Sequence, residues 1–317
     1  LAAWAWPRRR RLRGTHEKDE QRLFEIEAGI LVLGLCRWQP DKTERPTIVL
    51  WHGIEGSANA IYMLSMAQKA YRAGFNVVRM NIRNCGDTEH LTPTLYHGGM
   101  SSDLGVVIDE LVRRDKLDRI LIVGFSLGGN MVLKLAGEYG EGPPRALLAC
   151  AAISPSVDLG ASAQLINTKR NWLYHQSFVI KLKRKIQYKH RLYPEKYELT
   201  SLGHIKTIRD FDEAYTSRAN GFENADDYYY RASAIRVVDK IRVPTLIIHA
   251  QDDPFIPFSP LKQESFRKNP YLIVLAPEVG GHVAFISSGT NGEDRFWAEN
   301  RVLEFCQLAV DNLSTTS

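Results

Sequence analysis

Hydrophobic positions follow three different spacings along this chain. Mostly apolar runs, Thr47 to Trp51, Phe75 to Met80, Ile120 to Val123, Leu147 to Ile153, Thr245 to Ala250 and Tyr271 to Ala276, read as strands, of which Thr47 to Trp51 is uninterrupted in the manner of a strand buried on both faces. Between them lie stretches with helical spacing. Leu104, Val107, Ile108 and Leu111 fall at i, i+3, i+4 and i+7, which predicts an amphipathic helix over Ser102 to Arg113. Further helices are expected to end near Arg72, to begin near Gly129, and to run from Trp297 to Leu313. The third spacing is strict alternation: Glu25, Glu27 and Gly29 interleave with Ile26, Ala28 and Ile30, so Phe24 to Trp38 reads as antiparallel edge strands joined by a turn. Buried strands alternating with helices predict an α/β fold, a mostly parallel sheet covered by helices on both faces.

The pattern lapses at three places. Residues 1–22 are charged and without period, and read as a tail. Asn81 to Gly99 reads as a loop along the rim of the sheet. From Asp158 to Arg236 the chain turns basic and tyrosine-rich, with helical stretches and no buried strand. This predicts a helical cap, 158–236, inserted into a core formed by 23–157 and 237–317.

Composition narrows the class without changing the picture. The chain of 317 residues is 44% hydrophobic and 24% charged, as ordinary globular proteins are. No apolar run approaches the roughly 18 residues of a spanning helix, so no transmembrane segment is expected. The opening Leu1 to Trp6 is too short for a signal core and precedes its arginines. Net charge is +5, much of it from Arg8 to Arg11 and Arg13. Nothing downstream resembles a nucleic-acid recognition module, which leaves a solvated tail with at most weak contact to an anionic surface. Cys36, Cys85, Cys150 and Cys306 are far apart, a pattern of reduced thiols in a cytoplasmic protein, three of them expected in the core.

The chemistry centres on Gly124-Phe125-Ser126-Leu127-Gly128, placed between a buried strand and a helix. Two glycines let a serine occupy a sharp strand-to-helix turn, with its Oγ raised above the sheet and the helix N–H groups aimed at the same spot. Such a serine needs a base and an acid to orient it. Loops beyond the carboxyl ends of strands offer Asp252-Asp253-Pro254 and Gly280-Gly281-His282, in the chain order Ser, Asp, His. Consecutive residues of an extended segment point to opposite sides, and Asp253 precedes Pro254, which favours extended backbone. Asp253 is thus the expected partner of His282, and Asp252 is expected to cap a turn or meet solvent. His52 is read as serving loop geometry, His249 as lying in a buried strand, and His90 and His97 as rim residues. No two histidines have metal-ligand spacing and no glycine cluster has the partners of a phosphate loop, so neither metal nor cofactor is expected.

These residues resemble the α/β-hydrolase fold, and within it the YheT-like esterases, whose eukaryotic relatives include acylglycerol lipases and medium-chain ester synthases. The resemblance runs from Gly29 to Leu313. It is carried by Leu50-Trp51-His52-Gly53-Ile54-Glu55-Gly56, Tyr96-His97-Gly98-Gly99, the Gly124 to Asn130 run, Phe211-Asp212-Glu213-Ala214-Tyr215-Thr216, Asp252-Asp253-Pro254-Phe255 and Gly280-Gly281-His282. It implies Ser126 as nucleophile, His282 as base, Asp253 as its partner, and the N–H groups of Ile54 and Leu127 as an oxyanion hole. Where relatives carry Arg-Gly-Cys after the third strand, this chain has Arg83-Asn84-Cys85. The expected activity is hydrolysis of short- to medium-chain acyl esters, small molecules, through an acyl-enzyme. Transfer of the acyl group to an alcohol, monoacylglycerol hydrolysis, and a catalytically silent hydrolase-like binding protein are the competing readings. The oligomeric state is not legible.

Overall fold

The structure, a computed structural model, describes residues 19–289 and 292–314. The arginines of the N-terminal tail lie outside the described residues. Eight strands form one sheet: β1 (Glu20–Glu27), β2 (Ile30–Arg37), β3 (Thr47–Trp51), β4 (Asn76–Met80), β5 (Ile120–Phe125), β6 (Leu147–Ile153), β7 (Thr245–Ile248) and β8 (Leu272–Leu275). Their spatial order is β1-β2-β4-β3-β5-β6-β7-β8. β1 and β2 pair antiparallel, β2 pairs antiparallel with β4, and every other pairing is parallel.

The continuous apolar runs have a direct explanation. Ile48 and Leu50 of β3 point into one cluster, with Met63, Met66 and Ala70 of α1 (Ile61–Arg72). Val49 and Trp51 point into the other, with Leu104, Val107 and Ile108 of α2 (Ser101–Asp115) and Met131, Val132 and Leu135 of α3 (Leu127–Tyr139). With helices on both faces, neither side of the strand has a polar role.

Between β6 and β7 the regular elements are all helical: α4 (Leu159–Ile166), α5 (Trp172–Leu192), a π-helical turn over Asp212–Thr216, α6 (Ala225–Ala232) and short single turns. This segment has its own apolar cluster, in which Val179, Leu182, Ile186, Phe211 and Tyr215 pack with Leu95 from the rim loop. The chain ends on α7 (Trp297–Ser314), whose Val302 and Cys306 join α1 on its face of the sheet.

Three details depart from the sequence reading. β1 begins at Glu20, so Glu20 to Arg22 belong to the sheet and not to a tail. Arg22 is held there by Glu110 and Asp115 of α2, each at 2.5 Å. The last two strands stop at Ile248 and Leu275, two residues and one residue short of the runs read from hydropathy, because their final residues turn into the loops of the site. All four cysteines are buried with free thiols, Cys85 among them, where three were expected in the core. No helix among the described residues is long and apolar enough to cross a membrane.

Candidate active site

Ser126 is the single residue between β5 and α3. Its backbone stands at φ 53 and ψ −116, a conformation that a residue with a Cβ adopts only when its surroundings impose it. The surroundings are two glycines. A Cβ on Gly124 would lie 2.3 Å from the Gly128 carbonyl oxygen, and one on Gly128 would lie 2.4 Å from the His52 carbonyl oxygen. Both obstacles are backbone, so the G-x-S-x-G spacing lets strand, turn and neighbouring loop pass at contact distance.

The structure brings Ser126, His282 and Asp253 together. Ser126 Oγ lies 3.1 Å from His282 Nε2, and His282 Nδ1 lies 2.8 Å from Asp253 Oδ2. The other carboxylate oxygen, Oδ1, accepts the N–H groups of Phe255 at 2.9 Å and Ile256 at 3.0 Å. Burial alone would raise the pKa of Asp253. The charge and hydrogen bond of His282, with the Phe255 N–H, outweigh it and hold the carboxyl below its ordinary value. A carboxylate facing Nδ1 places the ring proton there and leaves the Nε2 lone pair toward the serine hydroxyl.

Asp252 does more than cap a turn. Its Oδ1 accepts the N–H groups of Gly280 at 2.9 Å and Gly281 at 2.8 Å, clamping the loop that carries His282. Ser154 Oγ accepts the Val283 N–H at 3.1 Å on the far side of the histidine. Neither contact has a local signature in sequence, since each partner is more than 25 residues away.

Ile54 and Leu127 line the same cavity as Ser126. Leu127 opens α3, where an N–H has no intrahelical acceptor. Ile54 follows β3 on a loop held by His52, whose Nδ1 donates to the Gly53 carbonyl at 2.7 Å and whose Nε2 accepts from the Ile82 N–H at 3.0 Å. Burial lowers the His52 pKa to about 4, so the ring is neutral and its tautomer fixed.

The cavity lies between the end of the sheet and the helical insertion and reaches Ser126 and His282. Leu95, Leu159, Ile166, Phe178, Leu182 and Phe211 give it an apolar wall, most of it from the helical insertion. Asp212 also lines it, accepting from Thr216 at 2.7 Å and Tyr229 at 2.8 Å, with a pKa that burial raises to about 6. A second, more open vestibule reaches Ser126 and His282, bordered by Glu55, Tyr62, Tyr174, Lys181 and Val283. Among the described residues, no three His, Cys, Asp or Glu side chains group as metal ligands.

The family model described as alpha/beta hydrolase fold matches residues 46–288. The chain belongs to that family. It is similar to YheT of Escherichia coli, named as a candidate esterase, at 33% identity over 81% of this chain and 75% of the relative. It is also similar to the medium-chain fatty acid ethyl ester synthase/esterase 2 of Saccharomyces cerevisiae, at 29% identity over 83% of this chain and 62% of the relative. With mouse phospholipase ABHD3 it shares 29% identity over 78% of this chain and 60% of the relative. Among solved structures, the esterase Pf2001 of Pyrococcus furiosus superposes with a TM-score of 0.61 at 16% identity, over 92% of this chain and 90% of that one, a likeness of fold. The chain is a hydrolytic enzyme of this family.

Two further features of the hydrolase escaped the sequence reading. The rim loop threads between α3 and the end of α6. A Cβ on Gly98 would meet Leu127 Cδ1 at 2.7 Å and one on Gly99 would meet the Ala232 Cβ at 2.7 Å. Asn130 ties the three segments together, donating to the Gly98 carbonyl at 2.8 Å and the Ala232 carbonyl at 2.9 Å and accepting from the Ala234 N–H at 2.8 Å. His97 accepts the Gly99 N–H at Nδ1, and burial lowers its pKa to about 3.

The second feature is Lys185 of α5, which the basic run around it disguised. It is buried, donates to the Asn84 carbonyl, and stands 3.3 Å from Glu55 and 3.6 Å from Cys85 Sγ. Burial works against its charge, and Cys85, Glu55 and Glu89 outweigh that effect and raise its pKa. Glu55 in turn accepts from Tyr96 Oη at 2.8 Å and stands at φ 50 directly after Ile54. Asn84 stands at φ 61, in the left-handed region that asparagine tolerates better than most residues with a Cβ. Breaking a buried pair by removing one partner leaves a charge unsatisfied, at a cost of about 3–5 kcal/mol. Lys185→Met is therefore expected to lower stability by about that amount, read by urea denaturation. Adding Glu55→Gln should recover part of the loss, and purely additive losses in the double-mutant cycle would deny the coupling.

Proposed function

We propose that this chain is a serine carboxylic-ester hydrolase for short- to medium-chain acyl esters. The observation that carries the reading is a hydrogen-bonded run from Asp253 through His282 to Ser126 that opens onto an apolar cavity. In this mechanism His282 Nε2 takes the Ser126 proton as Oγ attacks the ester carbonyl carbon. The tetrahedral oxyanion is received by the N–H groups of Ile54 and Leu127. Collapse returns the proton to the leaving alcohol, and water, activated by the same imidazole, releases the acid from the acyl-enzyme. Asp253 fixes the tautomer throughout. No step draws on a metal or cofactor.

Residues 158–236 act as a cap whose helices bound the acyl chain. A wall of Ile166, Phe178, Leu182 and Phe211 sets a finite depth. Rates on p-nitrophenyl esters are accordingly expected to peak at short or medium acyl length. A rate that keeps rising into long-chain esters would contradict the reading.

The open vestibule supports a second reading, acyl transfer to an alcohol, since it gives a nucleophile other than water a route to the acyl-enzyme. The yeast relative carries both activities in its name. Turnover of a medium-chain ester in added ethanol, with ethyl ester and free acid both quantified, separates the two. Monoacylglycerols belong in the same substrate panel, given a yeast relative named monoacylglycerol lipase. Four unpaired thiols support a cytoplasmic location.

A further inference from the structure

The outer face of α5 has no assigned role in ester hydrolysis. The helix spans Trp172–Leu192 and forms one lip of the vestibule, to which it contributes Tyr174, Phe178, Lys181 and Lys185. Its inner side packs through Val179, Leu182 and Ile186. Its outer side carries Leu173, Ile180, Arg184 and Arg191, spaced at 7, 4 and 7 residues and so aligned in one stripe along the helix. Apolar residues crowd the first half: Trp172 is 59% exposed, Leu173 73% and Ile180 47%. Exposed cations follow from the middle of the helix onward, at Lys181, Arg184 and Arg191.

The charge is one-sided. Between Asp158 and Glu195 the chain has eight lysines and arginines and no acid. Lys185 and Lys189 are buried in the contacts of the helix with the rim loop, whereas Lys181, Arg184 and Arg191 keep their charge at the surface. Arg184 and Arg191 border a shallow pocket shared with Glu55, Asp87 and Glu89, of which Glu55 and Glu89 lie against Lys185. Exposed tryptophan and leucine beside lysine and arginine on one face of a helix is the composition that rests at a lipid–water boundary, with apolar groups among the acyl chains and cations on anionic headgroups.

We propose that the outer face of α5 docks this protein on the surface of an anionic lipid bilayer, with the vestibule mouth at the edge of the contact. Docking is a binding event, independent of which ester is cleaved. An amphiphilic ester would then pass from the interface along Tyr174 and Phe178 to Ser126 without crossing bulk water.

The test is co-sedimentation of the full chain with phosphatidylcholine vesicles, with and without roughly 30% phosphatidylglycerol. Binding to the anionic vesicles is expected to exceed binding to the neutral ones by about tenfold at low salt and to fall steeply toward about 0.5 M salt. Leu173→Ser with Ile180→Ser, and separately Arg184→Glu with Arg191→Glu, should each reduce the bound fraction at least about fivefold, with melting temperatures kept, because all four side chains are exposed. Wild-type binding in both variants would assign the affinity to the N-terminal arginines and overturn the proposal. Equal binding to neutral vesicles, or no binding to either, would overturn it as well. A mobility shift on single-stranded RNA that the α5 variants abolish, with no vesicle binding, would reassign the face to nucleic acid.

Discussion

Ser126→Ala is expected to lower kcat on a soluble ester by about 10⁵- to 10⁶-fold, the scale seen when the nucleophile of a serine enzyme is removed. Labelling by a fluorophosphonate probe should disappear with it. The fold should not suffer. Among the described residues the one side-chain hydrogen bond of Oγ is with His282, and alanine at φ 53 meets the same backbone imposed by Gly124 and Gly128. A melting temperature within a few degrees of the parent would confirm that chemistry alone was lost. Residual hydrolysis within a few-fold of the parent would remove Ser126 from the role proposed for it. A parent protein that fails to take the probe would favour the silent binding protein instead.

Asp253→Asn should follow at about 10⁴-fold in kcat, the figure for the equivalent change in a serine protease. The geometry here supplies the cause. Two backbone N–H groups, from Phe255 and Ile256, need an acceptor at the Oδ1 position, so the amide of asparagine must keep its oxygen there. Its NH₂ then faces His282 Nδ1. That nitrogen becomes an acceptor, the ring proton moves to Nε2, and the base can no longer take a proton from Ser126. Asp252→Asn keeps an oxygen for Gly280 and Gly281 and should cost less than about tenfold. Both proteins should be assayed at saturating ester after a check of native melting. The larger loss falling on Asp252→Asn would reverse the assignment.

The sheet was legible in the sequence because burial on both faces leaves a run with no polar position, as in Thr47 to Trp51 and Leu147 to Ile153, whose ends the structure reproduces. The turn at Ser126 was legible because steric demands fix residue types at adjacent positions. What escaped reading depends on partners far apart in the chain. Asp252 looked idle because its acceptor role needs Gly280, and Gly98 and Gly99 looked like loop glycines until Leu127 and Ala232 stood beside them. Lys185 was hidden by chemistry as much as by distance. A lysine in a basic run is normally solvated, and only the arrival of Glu55 and the Asn84 carbonyl makes its burial tolerable.

The contact between Lys185 and Glu55 also bears on recombination. One half of the ion pair is encoded in the helical insertion between β6 and β7 and the other in the loop after β3, beside the Ile54 N–H. A chimera that grafts a relative's insertion onto this core would inherit Glu55 without its cation whenever the donor lacks a lysine at the matching place. The unmatched carboxylate would then sit one residue from a proposed oxyanion donor. Helical insertion and loop are therefore a single unit of exchange, and libraries that shuffle the insertion of this hydrolase should carry positions 55 and 185 together.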